Sequence, residues 1–166
     1  KGKKRATYFA DTQLREHHPL TAGQARQLLA ALDNDRLYAL YLLTLSLGLR
    51  LGEALGLRWV DLDWERGELK ITQTVRTVSN RTVFGKPKTQ KSRRTLPLTP
   101  MLLAALKVHQ QQQRRETLSG PWTDYGLIFP SEVGTPIGPR NMQRAFKRLL
   151  KRAQLPAIRF HDLRHT

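Results

Sequence analysis

From about Asp35 to Leu47 the chain repeats apolar side chains at helical spacing: Leu37, Leu40, Tyr41, Leu43, Thr44 and Leu47. That set is too broad for a single stripe, and a helix apolar over most of its circumference is stable only when other elements enclose it. The fold must therefore wrap around a deeply buried helix. Gly48 punctuates its end, and a third short helix is expected over residues 51–57. An earlier helix starts at Thr21, which reads as an N-cap before Leu28, Leu29 and Leu32.

Past residue 60 the period changes. Residues 61–67 read as a turn, and over residues 68–78 apolar and polar positions alternate through Leu69, Ile71, Gln73, Val75 and Thr77, a period of two with β-branched residues. Ser79-Asn80 and Gly85-Lys86-Pro87 are breakers, and residues 93–98 form a further short strand ending at Pro97. A small antiparallel sheet with a basic tip is expected. Helical spacing then returns. Thr99 caps and Pro100 opens a helix whose Leu102, Leu103, Leu106 and Val108 face inward, with the polar run 110–113 as its solvated end. Ser119-Gly120-Pro121 breaks the chain, and Leu127-Ile128-Phe129 reads as buried. After Gly138-Pro139 comes a basic amphipathic helix, with Met142, Phe146, Leu149 and Leu150 inside and Arg140, Arg144, Lys147, Arg148, Lys151 and Arg152 around them. Residues 160–166 begin a last helix. The expected architecture is α+β, mainly helical, with one small antiparallel sheet. Residues 1–18, polar and basic with a His17-His18-Pro19 break, read as a linker or arm, and residues 19–166 as one domain, long enough to bury a substantial core.

Charge points to the partner. The chain of 166 residues carries 29 Lys and Arg against 13 Asp and Glu, a net +16. Such a surface attracts a polyanion, because each neutralised phosphate releases condensed counterions. The excess is concentrated: residues 76–120 are net +9 and residues 121–166 net +5, whereas residues 51–75 are net −2. There is no cysteine, which excludes disulfides and thiolate metal sites and is compatible with a cytoplasmic protein. No run of about 18 apolar residues marks a transmembrane helix.

Two short motifs could act on phosphate. In Gly48-Leu49-Arg50-Leu51-Gly52-Glu53, Arg50 and Glu53 share a helical face; alone, this is as consistent with a structural ion pair as with catalysis. In His161-Asp162-Leu163-Arg164-His165-Thr166, His161 and Arg164 share a face and both can donate to phosphate oxygens. Taken in order, and with Lys88-Thr89-Gln90-Lys91-Ser92-Arg93-Arg94-Thr95-Leu96-Pro97-Leu98 between them, these motifs resemble the two arginine boxes and the lysine-bearing β-hairpin of the tyrosine recombinase (phage integrase) family. The resemblance covers roughly residues 20–166.

It implies that Arg50 and Arg164 clamp the scissile phosphate and that His161 adds a donor. It implies that Lys88 is the general acid protonating the departing 5′ oxygen, and that Glu53 holds Arg50, and His161 with it, in place. Lys86, Lys91, Arg93, Arg94, Arg140 and Arg144 would contact DNA. The implied partners are double-stranded DNA and further recombinase protomers assembled on it. No metal or nucleotide cofactor is implied, because a phosphotyrosyl intermediate conserves the bond energy. The family's nucleophile is a tyrosine some thirty residues past the second arginine. This chain ends two residues after Arg164, and none of Tyr8, Tyr38, Tyr41 and Tyr125 matches that position. The expectation is a catalytic domain incomplete at its C-terminus, cut from a recombinase with a further N-terminal helical domain, able to bind duplex DNA and unable to cleave it.

Two rival readings use other features. A metal-dependent nuclease would need the acidic cluster Asp61, Asp63, Glu65 and Glu68, which reads better as a solvated turn in the least basic stretch. A non-catalytic module for double-stranded nucleic acid would explain the charge but not why both arginine motifs suit one site.

Overall fold

A computed structural model describes residues 19–87 and 93–166. Helix α1 (Ala22–Ala30) opens with the expected cap: the Thr21 hydroxyl accepts from Gln24 N at 3.2 Å, and the Gln24 side chain accepts from Thr21 N at 2.9 Å. Helix α2 (Tyr38–Leu47) begins three residues later than its apolar pattern, because Asp35 turns its carboxylate onto Leu37 N at 2.8 Å and holds a tight turn there. Residues 39–44 of α2 are all buried, as a helix apolar on every side requires. Around it pack α1, helix α3 (Leu51–Leu55), helix α4 (Pro100–Ser119) and a C-terminal 3-10 segment, Phe160–His165.

Where one alternating strand was expected over residues 68–78, the chain forms two. Strands β1 (Leu62–Asp63), β2 (Glu68–Lys70) and β5 (Thr95–Pro97) make an antiparallel sheet in which Leu69 pairs with Leu62 on one side and Leu96 on the other. Strands β3 (Thr74–Val78) and β4 (Arg81–Gly85) make a separate hairpin. Residues 71–73 leave the ladder: Ile71 N bonds to Arg94 O, and the Gln73 side chain donates to Gly56 O. The alternation is real, since Leu69, Ile71 and Val75 are all buried; side-chain burial simply outlasts strand pairing. Ser79 and Asn80, read as a breaker, are the hairpin turn, both at positive φ, which matches the twist of a two-residue connection.

Helix α4 also departs from expectation. Gln113 is not at a solvated end; the helix continues to Ser119, and Gln113 is buried. Its amide oxygen accepts from Trp59 Nε1 at 2.6 Å and its nitrogen donates to Leu127 O at 3.0 Å. One turn earlier, the buried His109 ring meets Ile128 O and packs against Trp59 and Phe129. Burial holds its pKa below the ordinary histidine value. The inward face thus follows 102, 106, 109 and 113, and Val108 is 66% exposed. Helix α5 (Pro139–Arg152) buries Met142, Phe146, Leu149 and Leu150 as expected.

One aromatic cluster closes the domain. Tyr41 of α2 lies 5.9 Å from both Phe146 of α5 and Phe160, and those two rings meet edge-on at 5.3 Å. The last segment is thereby packed onto the central helix, and it is 3-10 rather than the α-helix its sequence suggested. The described architecture is α+β and mainly helical; among the described residues, no helix is long and apolar enough to cross a membrane.

The approach of α3 to β3 is close enough to test. A Cβ on Gly52 would stand 2.6 Å from Val75 O, whereas one on Gly23 in α1 would meet nothing nearer than 3.8 Å. Gly52→Ala should therefore destabilise the domain by about 1–3 kcal/mol in urea unfolding. Gly23→Ala should be neutral or stabilise by up to about 1 kcal/mol.

Candidate active site

Helix α2 ends with Gly48 in the left-handed region, φ 60° and ψ 40°, its N–H bonded to Thr44 O. That conformation reverses the chain at once, so that only Leu49 and Arg50 separate Gly48 from α3. Leu49 is buried and Arg50, the N-cap of α3, is turned outward. Glu53 sits at the third position of α3 and reaches back to the N-cap, accepting from Arg50 N at 3.1 Å on one oxygen and from Arg50 Nη1 at 2.9 Å on the other. The local pair is asymmetric: the Glu53 side chain is 2% exposed and that of Arg50 is 51%.

A second guanidinium completes the clamp. Arg94 donates to both Glu53 oxygens, Nη2 at 3.0 Å and Nη1 at 3.3 Å. Burial alone would raise the Glu53 pKa, but the hydrogen bonds from Arg94 and from the Arg50 backbone and side chain outweigh it and hold the carboxyl below the ordinary range. Arg94 was expected at the DNA surface; its guanidinium lies on Glu53. The alternation leading into β5 places Arg94 on the same side as Leu96, two residues on, but does not say what it meets.

The second arginine motif uses the same local device. Asp162, buried, accepts from Arg159 N at 2.9 Å and from Arg159 Nη2 at 3.0 Å. With Phe160 and Leu163 packed in the core, His161 and Arg164 are displayed together on the other side. Arg164 reaches back to the end of α2: a Cβ on Gly48 would lie 3.9 Å from both Arg164 Nε and Arg164 O. Two motifs more than a hundred residues apart therefore meet at one chain reversal. His161 is exposed beside His165, their rings 5.8 Å apart edge-on. Partial burial, then the charges of Arg164 and His165, hold the His161 pKa below its ordinary value. The ring is thus neutral near pH 7, with one nitrogen to donate and one to accept. Glu53 is hydrogen-bonded by Arg50 and Arg94.

The remaining residues fall around this junction. Arg140 and Arg144 are exposed on α5, and Arg140 Nη1 donates to Asn80 Oδ1 at 3.0 Å, tying the start of α5 to the β3–β4 turn. Lys86 and Arg93 are exposed. Lys88 and Lys91 lie outside the described residues, as does Tyr8. Tyr41 is buried in the aromatic cluster, which drives its pKa upward. Tyr38 is half-buried on the same helix, and Tyr125 packs on Phe84. The acidic cluster has structural work: Asp61 binds Arg58 and the Thr72 hydroxyl, and Asp63 accepts from Glu65 N and Arg66 N in the turn. Among the described residues no group of three or more His, Cys, Asp or Glu could hold a metal ion.

Glu53 gives a signed pH dependence. Its folded pKa lies below the unfolded one. The stabilisation from ionised Glu53 is therefore complete above the unfolded value and is lost as pH falls through the folded value. Glu53→Gln should cost about 3 kcal/mol at pH 7, and the gap to the unsubstituted protein should narrow in urea titrations at acid pH. A gap constant down to pH 3 would contradict this ionic account.

Comparison with known proteins identifies the chain's family. The family model described as "Phage integrase family" matches residues 18–166. A tyrosine recombinase XerC-like protein of Caldanaerobacter subterraneus subsp. tengcongensis is 36% identical over 157 residues, covering 86% of this chain and 40% of the relative. An integrase of Streptomyces ambofaciens is 34% identical over 140 residues, covering 81% and 36%. The chain thus spans less than half the length of either. Among solved structures, the Tn1549 transposon integrase in complex with transposon right end DNA superposes with a TM-score of 0.77 at 25% identity, over 94% of this chain and 53% of that one. XerA recombinase shares the fold, with a TM-score of 0.66 at 22% identity over 89% and 47%. The junction that brings Arg164 to Gly48 therefore sits in a tyrosine recombinase catalytic domain, and the chain belongs to the phage integrase family.

Proposed function

We propose that these residues form the phosphate-activating part of a site-specific recombinase that cuts and rejoins double-stranded DNA in the cytoplasm, working with further protomers on the DNA. The observation that carries this reading is the Arg164 side chain against Gly48, two residues from Arg50. Transesterification builds negative charge on the non-bridging oxygens of a five-coordinate phosphorus, and preorganised guanidinium groups aimed at those oxygens stabilise it. Arg50 and Arg164 supply that clamp, and the planar fork of Arg suits two oxygens better than a lysine ammonium does. His161 adds a neutral donor. A tyrosine of the whole protein attacks the phosphorus, its phenolic proton passing to the accepting nitrogen of His161. The bond from phosphorus to the 5′ oxygen breaks, and that oxygen takes a proton from Lys88. The product is a 3′-phosphotyrosyl linkage and a free 5′ hydroxyl, and rejoining is the reverse with a new 5′ hydroxyl. Lys86, Lys91, Arg93, Arg140 and Arg144 contact the DNA backbone.

Three experiments test the assignment. In the whole protein, Arg50→Ala and Arg164→Ala should each slow single-turnover formation of the covalent DNA adduct by on the order of a hundredfold or more. Lys88→Ala should be rescued by a substrate whose 5′ bridging oxygen is replaced by sulfur, because a thiolate leaves without protonation; Arg50→Ala should not be. Rescue of neither or of both would reject these roles. The 166-residue chain alone should bind duplex DNA, with affinity falling steeply as salt rises, and should form no covalent adduct. An adduct from that chain would refute the placement of the nucleophile.

A further inference from the structure

We infer that Arg94 is a positioning residue for the cleavage reaction, acting through Glu53 on Arg50. The inference rests on the function proposed above. The Glu53 carboxylate is buried, and each of its oxygens receives one hydrogen bond from Arg50 and one from Arg94. With Arg50 and Glu53 alone, the cluster would be electrically neutral, and its carboxylate would bind the Arg50 guanidinium without competition. A phosphate approaching Arg50 would then have to break a close ion pair.

Arg94 changes both conditions. It brings the cluster of Arg50, Glu53 and Arg94 to a net +1, restoring a favourable potential for phosphate. It also divides the carboxylate between two guanidinium groups and fixes its plane, so Arg50 is held from behind in one orientation. The backbone adds a constraint: Arg94 O accepts from Ile71 N, which anchors this guanidinium at the edge of the β1-β2-β5 sheet. Arg94 is 26% exposed at the side chain against 51% for Arg50, in keeping with a supporting rather than a substrate-facing group.

A direct phosphate contact and a positioning role differ in what they change. Loss of a phosphate contact weakens duplex affinity and lowers the salt slope by about one. Loss of a positioning residue leaves affinity nearly intact and lowers the rate on bound DNA, since a misplacement of about 1 Å can cost on the order of a hundredfold. In the whole protein, Arg94→Gln should lower single-turnover adduct formation at saturating protein by roughly ten- to a hundredfold, with the duplex Kd within about threefold and the salt slope unchanged. Arg94→Lys keeps the charge on a residue that still folds into place, and should recover part of the rate. Glu53→Gln combined with Arg94→Gln should be no slower than the slower single variant, because both act on Arg50 by one route. Full rates in the Gln and Lys variants, a lowered salt slope with a normal saturated rate, or multiplicative defects in the double variant would each overturn the inference. No adduct from the unsubstituted protein would instead defeat the proposed recombinase function, and this inference with it.

Discussion

A buried carboxylate governs the site. Glu53 is the one acidic residue in α2, α3 and the turn between them, in a chain of net charge +16. Left unpaired, an ion taken out of water would cost several kcal/mol. It is instead hydrogen-bonded by the Arg50 backbone, the Arg50 guanidinium and the Arg94 guanidinium. One side chain therefore joins the start of α3 to the strand entering β5, and determines where two cations stand. Where like charges are so numerous, a single buried anion is an efficient way to bring cations together without mutual repulsion expelling them.

The second arginine motif reaches this junction by packing, not by charge. Tyr41, Phe146 and Phe160 form a closed aromatic cluster at the heart of the domain, and Leu163 is fully buried beside it. Those contacts leave Arg164 lying along the end of α2, beside Gly48. The positive φ at Gly48 turns the chain sharply, a conformation that favours glycine. The core is thus the scaffold that carries residues 160–164 to Gly48 at the end of α2. The chemistry expected of the pair depends on apolar contacts formed well away from any phosphate.

Much of this was legible in the residues. The breadth of the apolar set in α2 required its burial, and the changes of period at residues 60 and 99 marked the sheet. The spacing of Arg50 to Glu53 and of His161 to Arg164 put each pair on one face. What stayed hidden depended on partners distant in sequence. Gln113 reads as the polar end of a helix until Trp59 Nε1 and Leu127 O are brought to it. The alternation over residues 68–78 cannot reveal that Ile71 pairs with Arg94 O in place of a strand neighbour. Arg94 looks like one more cation in a basic loop, because its identity as a partner of Glu53 exists only once β2 and β5 are paired. Local pattern reports which way a side chain faces; it does not report what it meets.

The central claim is that Arg50 and Arg164 act on one phosphate. A crystal structure of the whole protein on its duplex target would test it most directly. The account predicts guanidinium nitrogens of both residues within about 3 Å of non-bridging oxygens of the same phosphate, with Glu53 still bridging Arg50 and Arg94 behind them. Arg50 and Arg164 on separate phosphates, or Arg164 turned away from the end of α2, would contradict it.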